Sequence, residues 1–135
     1  MRQYRLVFPV IAMALGALCL GACRTGEIAL SGEFKAQLFD NSSYQPVAGA
    51  VVTVWADQNP SVSAQQTSDE KGFVNLAALR GSVPSGFPLE SVLTASARIE
   101  APGYRPVILN SSRNRAYFQY PNRNGPPAEL LLSRN

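Results

Sequence analysis

The sequence predicts an all-β domain, an antiparallel β-sandwich of seven or eight strands that follows a cleaved N-terminal segment. Two observations favour this fold class. Most segments after residue 31 alternate apolar with polar residues, as half-buried strands do, and short clusters of Gly, Pro, Asn, Asp and Ser separate them. No segment after the first apolar run shows the 3.6-residue period of an amphipathic helix. The 135 residues suffice for one domain with its own core.

The first predicted strand is EFKAQLFD, in which Phe34, Ala36 and Leu38 form the apolar side. A tight hairpin turn is predicted at SDEKG, because Asp69 supplies a side-chain acceptor and Gly72 tolerates a positive φ. The stretch LAALRGSVPSGFPLE is the one long irregular connection. In chain order, the predicted strands are EFKAQLFD, VAGAVVTVWA, SAQQT, FVNLAAL, LTASARIE, RPVILN, RAYFQY and AELLLS.

Residues 1–22 are predicted to be an export signal that is removed. Arg2 and Arg5 supply a positive start, and an apolar run follows that closes on small residues. The letters LGAC at residues 20–23 resemble the bacterial lipobox, in which cleavage occurs before the cysteine and lipid is attached to it. The resemblance implies that Cys23 is the lipid attachment point and holds the protein on a membrane.

Two alternatives stay open for the apolar run: a retained transmembrane helix, which Pro9 disfavours, or a plain secretory signal without lipid. Cys19 would leave with the signal, so no cysteine pair remains for an internal disulfide. Residues 23–31 are predicted to be the lipidated cysteine and a tether, and residues 32–135 to be the sandwich. Arg24 in place of Asp resembles the sorting context of outer-membrane delivery, which implies a periplasm-facing location in a Gram-negative host.

The charge of the domain argues against nucleic acid as a partner. The whole sequence has a net charge of +3, but without Arg2 and Arg5 it keeps ten Lys and Arg against nine Asp and Glu. A nearly neutral domain lacks the positive field that attracts a phosphate backbone.

Three phrases together resemble a known family: PVAGAVVTV, TSDEKGFVNL and APGYRPV. They are similar to the pattern of the carboxypeptidase regulatory-like domain, a transthyretin-like β-sandwich, over residues 32–109. Bacterial immunoglobulin-like repeats share the first two phrases, while Gly103 and Tyr104 favour the regulatory-like family. The resemblance implies an accessory or interaction module.

Enzymatic activity is not expected. The sequence contains no histidine, which excludes Ser-His-Asp and Cys-His catalysis and removes the commonest ligand of zinc sites. One transthyretin-like relative, the hydroxyisourate hydrolase, depends on histidines. Asp69 and Glu70 lack a surrounding loop of spaced oxygen ligands, so we interpret them as turn residues and not as a calcium site. We expect no cofactor and no metal.

Three functions remain for a domain of this kind. The first is a membrane-anchored envelope lipoprotein that acts as a non-catalytic interaction or assembly module for a partner protein. The second is a sandwich that binds peptidoglycan or another polysaccharide through exposed aromatic side chains. The third is a structural component of the envelope without a discrete site.

Trp55 is the first candidate for partner binding. If Ala50 and the alternate valines of GAVVTVWA point inward, then Val51, Thr53 and Trp55 share the opposite face. A tryptophan outside the main core is either covered by a loop or the tether, or free to contact a partner.

The second candidate surface lies on the predicted strand RNRAYFQY. With Ala116, Phe118 and Tyr120 buried, the other face carries Arg113, Arg115, Tyr117 and Gln119, with Arg123 in the following loop. Guanidinium groups and tyrosine rings are over-represented at interface anchors, so these four residues are predicted to contact a partner. An ordinary solvated strand face remains the alternative.

Overall fold

The computed structural model describes residues 27–82, 93–119 and 125–135. The predictions that concern the export signal, Cys23, Tyr120 and Arg123 lie outside the described residues. No helix in the described part of the chain is long and apolar enough to cross a membrane. The strands are β1 Ile28–Ala29, β2 Glu33–Asp40, β3 Val51–Ala56, β4 Asn59–Thr67, β5 Phe73–Leu76, β6 Arg80–Gly81, β7 Ala95–Glu100, β8 Val107–Asn110, β9 Phe118–Gln119 and β10 Ala128–Leu132.

The strands form two main sheets. The first sheet has the order β10-β2-β5, and β9 also pairs with β2. The second sheet has the order β4-β3-β7-β8, and β1 and β6 form a separate two-stranded pair. The predicted all-β sandwich is therefore confirmed, although the described residues form ten strands and not the expected seven or eight, because short segments such as β1, β6 and β9 also pair. One pair differs from the expected antiparallel pattern, because β10 runs parallel to β2. The whole second sheet lies between these two strands in sequence and provides the long crossover that a parallel pair requires.

The core lies between the inner faces of the two sheets. Along β2, Phe34, Ala36 and Leu38 are buried, as the alternation predicts. Along β3, Val52 and Val54 are buried between intermediate positions. Small side chains in β7 let the two sheets approach closely. The remaining buried apolar residues include Leu30, Val47, Ala50, Ala56, Val74, Leu76, Leu79, Ala95, Ala97, Ile99, Leu109, Phe118 and Leu132.

The turn from β4 to β5 carries the chain from the second sheet to the first. Asp69 Oδ1 accepts hydrogen bonds from the backbone N–H groups of Lys71 and Phe73, each at 2.9 Å. Gly72 has φ = 81°, a conformation that side chains with a Cβ rarely adopt. The turn predicted at SDEKG is thus formed by the two residues that predicted it.

Two predicted boundaries are wrong. Ile28–Ala29 pairs with Arg80–Gly81, and Leu30 is 1% exposed, so residues assigned to the tether belong to the fold. The predicted strand RNRAYFQY contributes only Phe118–Gln119 to a sheet, since the residues before it form turns.

Local side-chain bonds explain the second difference. Asn114 Oδ1 accepts the Asn110 N–H at 3.1 Å, and Asn110 Oδ1 accepts the Ser112 N–H at 3.0 Å. Asn and Ser side chains offer the backbone an alternative to a ladder, and here they hold it in turns despite the apolar alternation that follows.

Candidate functional site

One continuous row of side chains crosses the outer face of the second sheet. The strand register places Trp55 opposite Ser63 of β4 and opposite Ser96 of β7, and Ser96 opposite Asn110 of β8. Residues directly opposite in antiparallel strands lie on the same face with their Cβ atoms about 5 Å apart. We call this outer surface of the second sheet the Trp55 face.

Trp55 is intermediate in exposure and lies outside the core cluster. It shares its face with Val51 and Thr53, as the alternation predicted. The indole N–H of Trp55 donates no hydrogen bond to any group that the structure describes. In the next row, Thr53 Oγ1 accepts from Gln65 Nε2 at 3.0 Å, and Ile108 is 66% exposed. The Trp55 face thus offers apolar surface and a donor together.

A polar cluster closes one end of the row. Asp57 Oδ1 accepts from Ser96 Oγ at 2.7 Å, while Asp57 Oδ2 accepts from Thr94 Oγ1 at 2.6 Å and from Asn110 Nδ2 at 3.0 Å. Asn110 Nδ2 also lies 3.1 Å from Ser96 Oγ. The carboxylate is therefore used to tie β3, β7 and β8 together, and the cluster fixes the side chains beside Trp55.

The second predicted surface is not a single row. Arg113 and Arg115 are exposed in the turns after β8. Tyr117 instead packs against the core, with its ring centroid 6.3 Å from that of Phe34. Burial raises the pKa of Tyr117, and its hydroxyl donates to the Glu129 carbonyl at 2.9 Å.

The positions of Gln119 and Ala116 also differ from the predicted strand face. The Gln119 side-chain amide donates to the Ala116 and Pro126 carbonyls at 3.4 and 3.2 Å, so it braces the chain around β9. Ala116, predicted to be buried, is exposed, whereas Phe118 is buried as predicted. The cause is that the predicted period of two does not apply to residues in turns. A binding role for Arg113 and Arg115 stays a prediction. Both residues lie in the turns that follow Asn110, which belongs to the same row of side chains as Trp55.

Sequence reasoning missed the buried carboxylate of Asp40, which is 2% exposed. Its Oδ2 accepts from Tyr104 Oη and from Arg134 Nε, each at 2.7 Å. Its Oδ1 accepts from the backbone N–H groups of Ser42 and Ser43 at 2.8 and 3.0 Å. The guanidinium of Arg134 also lies 5.7 Å from the Tyr104 ring centroid. We call Asp40, Tyr104 and Arg134 the Asp40 cluster.

The electrostatics of the Asp40 cluster are those of a stabilising contact. The hydrogen bond from Tyr104, followed by those from Arg134 and the Ser43 backbone, holds the pKa of Asp40 well below its usual range. The same bond raises the pKa of Tyr104. Four donors occupy the lone-pair positions of the carboxylate, which leaves it no capacity for a ligand. The Gly-Tyr pair of APGYRPV was the available signal for this contact.

No metal site is found among residues 27–82, 93–119 and 125–135: no three His, Cys, Asp or Glu side chains lie close enough together to hold an ion. The two lysines of the sequence lie in surroundings typical of surface residues. Lys35 Nζ lies 3.3 Å from Glu33 Oε2 on the outer face of β2, and Lys71 is exposed in the β4–β5 turn.

The comparisons with known proteins show the fold alone. No family model and no curated protein matches the chain. Among solved structures, 3-chlorocatechol 1,2-dioxygenase from Rhodococcus opacus 1CP is similar with a TM-score of 0.51 at 14% identity, over 83% of this chain and 63% of that one. Hydroxyquinol 1,2-dioxygenase from Pseudomonas putida DLL-E4 gives a TM-score of 0.47 at 15% identity, over 80% of this chain and 58% of that one. The chain thus spans less than two thirds of each dioxygenase.

Proposed function

We propose that this protein is a membrane-anchored envelope lipoprotein whose sandwich is a non-catalytic binding module, and that the Trp55 face contacts its partner. The observation that carries the proposal is the position of Trp55. A large aromatic side chain lies near the end of β3, an inner strand of the second sheet, and outside the core cluster. Its indole N–H has no acceptor among the described residues. Tryptophan combines a large contact area with a donor and is enriched at binding hot spots.

The surroundings of Trp55 support a contact surface. Ile108 adds exposed apolar area on β8, and Arg113 lies in the turn that starts at Asn110. Hydrogen bonds to Asp57 immobilise Ser96 and Asn110, which lie beside Trp55 on β7 and β8. A surface whose side chains are already ordered loses less conformational entropy when a partner binds.

The anchor rests on the lipobox resemblance at Cys23. Ile28, which opens the first strand, is only five residues further along the chain. Five residues span at most about 18 Å when fully extended, so a lipid on Cys23 would hold the domain close to the membrane surface. Intact mass of the detergent-extracted protein tests this step. A lipidated chain beginning at Cys23 is expected, and a chain that retains residues 1–22 would contradict it.

A non-catalytic role is supported by the chemistry of the side chains. The sequence has no histidine. Among the described residues, the most buried carboxylate is that of Asp40, and all its acceptor positions are occupied. Dioxygenase activity is a property of the similar solved structures, and at 14% identity the similarity to the chlorocatechol dioxygenase concerns the fold alone.

A second candidate function has its own observation. Trp55 is flanked in its row by hydroxyl and amide side chains, those of Ser63, Ser96 and Asn110. An aromatic face with neighbouring hydrogen-bonding groups suits a sugar ring, which presents C–H groups on its faces and hydroxyls at its edge. Peptidoglycan or another polysaccharide is therefore the alternative partner.

One pair of variants tests both candidates. Trp55→Ala removes the aromatic surface from the second sheet, and Tyr44→Ala is the matched control, because Tyr44 is an aromatic residue 52% exposed next to the first sheet. We expect Trp55→Ala to abolish co-purification of an envelope protein while Tyr44→Ala retains it. Loss of sedimentation with purified peptidoglycan, in place of loss of protein capture, would favour the glycan function. Unchanged binding in both assays would contradict a role for the Trp55 face.

A further inference from the structure

The two main sheets have four outer edges, formed by β5, by β10 together with the two-residue β9, by β8 and by β4. Contacts within the fold cap most of the first three. Along β5, the Gly72 carbonyl accepts from Leu38 of β2, so Phe73 and Asn75 direct their backbone groups away from β2. The Phe73 N–H donates to Asp69 Oδ1, and the Phe73 carbonyl accepts from the Asp69 N–H. The Asn75 N–H donates to Gln66 Oε1 at 2.7 Å. The edge of β5 therefore has little capacity for another strand.

The edge of β10 is capped at two points. The Leu132 carbonyl accepts from Asn41, so Glu129 and Leu131 direct their backbone groups away from β2. The Glu129 carbonyl is occupied by the Tyr117 hydroxyl, and two residues after Leu131 the Ser133 carbonyl accepts the Arg105 N–H at 2.9 Å. Between these two contacts, Leu131 is the one described residue whose outward N–H and C=O groups both stay unpaired.

The edge of β8 is short and also capped. Ser111 donates to Ala95 of β7, so Ile108 and Asn110 are the residues that face away. The Asn110 N–H donates to Asn114 Oδ1, and its carbonyl accepts from the following turn. This leaves Ile108 as the single edge residue with both backbone groups available among those that the structure describes.

The edge of β4 is different. The Ser68 N–H donates at 2.8 Å to the carbonyl of Ala50, which directly precedes β3. The alternate residues Ser63, Gln65 and Thr67 therefore direct their backbone groups away from β3. No group in the described residues hydrogen-bonds to these three N–H and three C=O groups. They form the longest uninterrupted open edge in the described part of the chain.

The composition of β4 does not protect this edge. Native sheets usually discourage pairing at an exposed edge with charged residues, especially Lys, or with Pro. The strand Asn59–Thr67 contains no charged residue, and its one proline, Pro60, lies before the open stretch. A second strand can therefore approach Ser63–Thr67 without meeting a charge.

We propose that the β4 edge pairs with the β4 edge of a second copy of this chain. An antiparallel pair centred on Gln65 places Gln65 opposite Gln65 and Ser63 opposite Thr67 of the other copy. Each opposed pair then exchanges both backbone bonds, which satisfies all six open groups of each copy. Because the segment is uncharged, the twofold axis brings no like charges together.

The pairing joins two four-stranded sheets into one continuous sheet of eight strands. The axis of such a pair is perpendicular to the sheet, so the Trp55 faces of both copies point in the same direction. Such association of the chain with itself does not depend on what the Trp55 face binds.

Charge reversal at the axis gives a sharp test. Gln65→Lys and Gln65→Glu each place two like charges opposite one another, and both lose the same Gln65–Thr53 side-chain bond. We expect the full chain in detergent to sediment as a dimer, each variant alone to dissociate on the order of tenfold more readily, and an equimolar mixture of the two variants to re-associate. Asn75→Lys, on the capped β5 edge, is the control and should remain dimeric.

Cross-linking tests the register in intact envelopes. Opposed residues of a hydrogen-bonded pair have Cα atoms about 5.5 Å apart, which lies within the range that a disulfide spans. Oxidation of the Gln65→Cys variant should give a dimer of this chain, and oxidation of Asn75→Cys should not. A monomeric wild-type chain, dimers that persist in both charged variants, or cross-linking of the Gln65→Cys variant to a different protein would each overturn the proposal.

Discussion

The first and second sheets use their polar groups and aromatic residues in different ways. In the first sheet, Phe34 is 1% exposed and its ring contacts both Tyr117 and Phe118, while the Asp40 cluster ties β2 to Arg134 beyond β10. In the second sheet, Trp55 lies outside the core and the β4 edge stays open within the described residues. Groups that are occupied in the folded monomer stabilise it, and groups that remain available can serve binding. The difference supports the proposal that the second sheet, and not the first, carries the contact surface.

The largest expected effect compares one aromatic residue from each sheet. Phe34→Ala should lower the free energy of unfolding by about 3 to 5 kcal/mol, because it leaves a cavity among fully buried side chains. Trp55→Ala should cost less than Phe34→Ala, because Trp55 is only partly buried and lies outside the core cluster. Urea denaturation of the two variants measures both values. Equal losses would mean that the second sheet depends on its outer face for stability.

Acid should weaken the first sheet through Asp40. The pKa of Asp40 is lower in the folded protein than its unfolded value of about 3.9, so the folded state favours the charged form. This contribution to stability is fully present above the unfolded pKa and is lost as the pH falls from there toward the folded pKa. Thermal unfolding between pH 6 and pH 2 should show the loss in wild type, and Asp40→Asn should flatten this part of the profile. An identical profile for both proteins would contradict the assignment.

A smaller loss of stability is expected when the β10 edge loses the hydrogen bond from Tyr117. Tyr117→Phe removes the hydroxyl that donates to the Glu129 carbonyl and keeps the ring next to Phe34. We expect the free energy of unfolding to fall by about 1 kcal/mol, the usual net contribution of one hydrogen bond. Partner capture should not change, since this side chain faces the core. Lost capture with unchanged stability would restore the interface role first predicted for Tyr117.

The smallest effect on stability is expected at the two exposed arginines. Arg113→Glu combined with Arg115→Glu should change the free energy of unfolding by about 0.5 kcal/mol or less, as surface substitutions usually do. Circular dichroism and membrane fractionation should be unchanged. If these residues border the contact surface, partner capture should fall. Full capture by the folded double variant would limit that surface to the second sheet itself.

The alternation of apolar and polar residues predicted most of the strands. It located β2, β3 and β7 and the inward residues of each, because a period of two is a direct consequence of strand geometry. It failed before Phe118, where Asn110 and Asn114 hold the backbone in turns. It also gave no strand direction, since the parallel pairing of β10 depends on which edge of the first sheet remains open.

The candidate site was only partly predictable. The outward orientation of Trp55 followed from the inward orientation of its neighbours. The row around it joins residues from four strands, and their register is set by turns and bulges that no single segment encodes. The burial of Asp40 had no local signal either, because its donors Tyr104 and Arg134 are 64 and 94 residues away in sequence.

The distance in sequence between Asp40 and Arg134 has a consequence for how the chain folds. Until residues up to Arg134 are available, β2 lacks its parallel neighbour and the Asp40 carboxylate lacks one of its two side-chain donors. Contacts between residues so far apart form late and slow the folding reaction. We expect chains that end before β10 to remain loosely structured, because β2 then lacks both its parallel neighbour and a donor to Asp40.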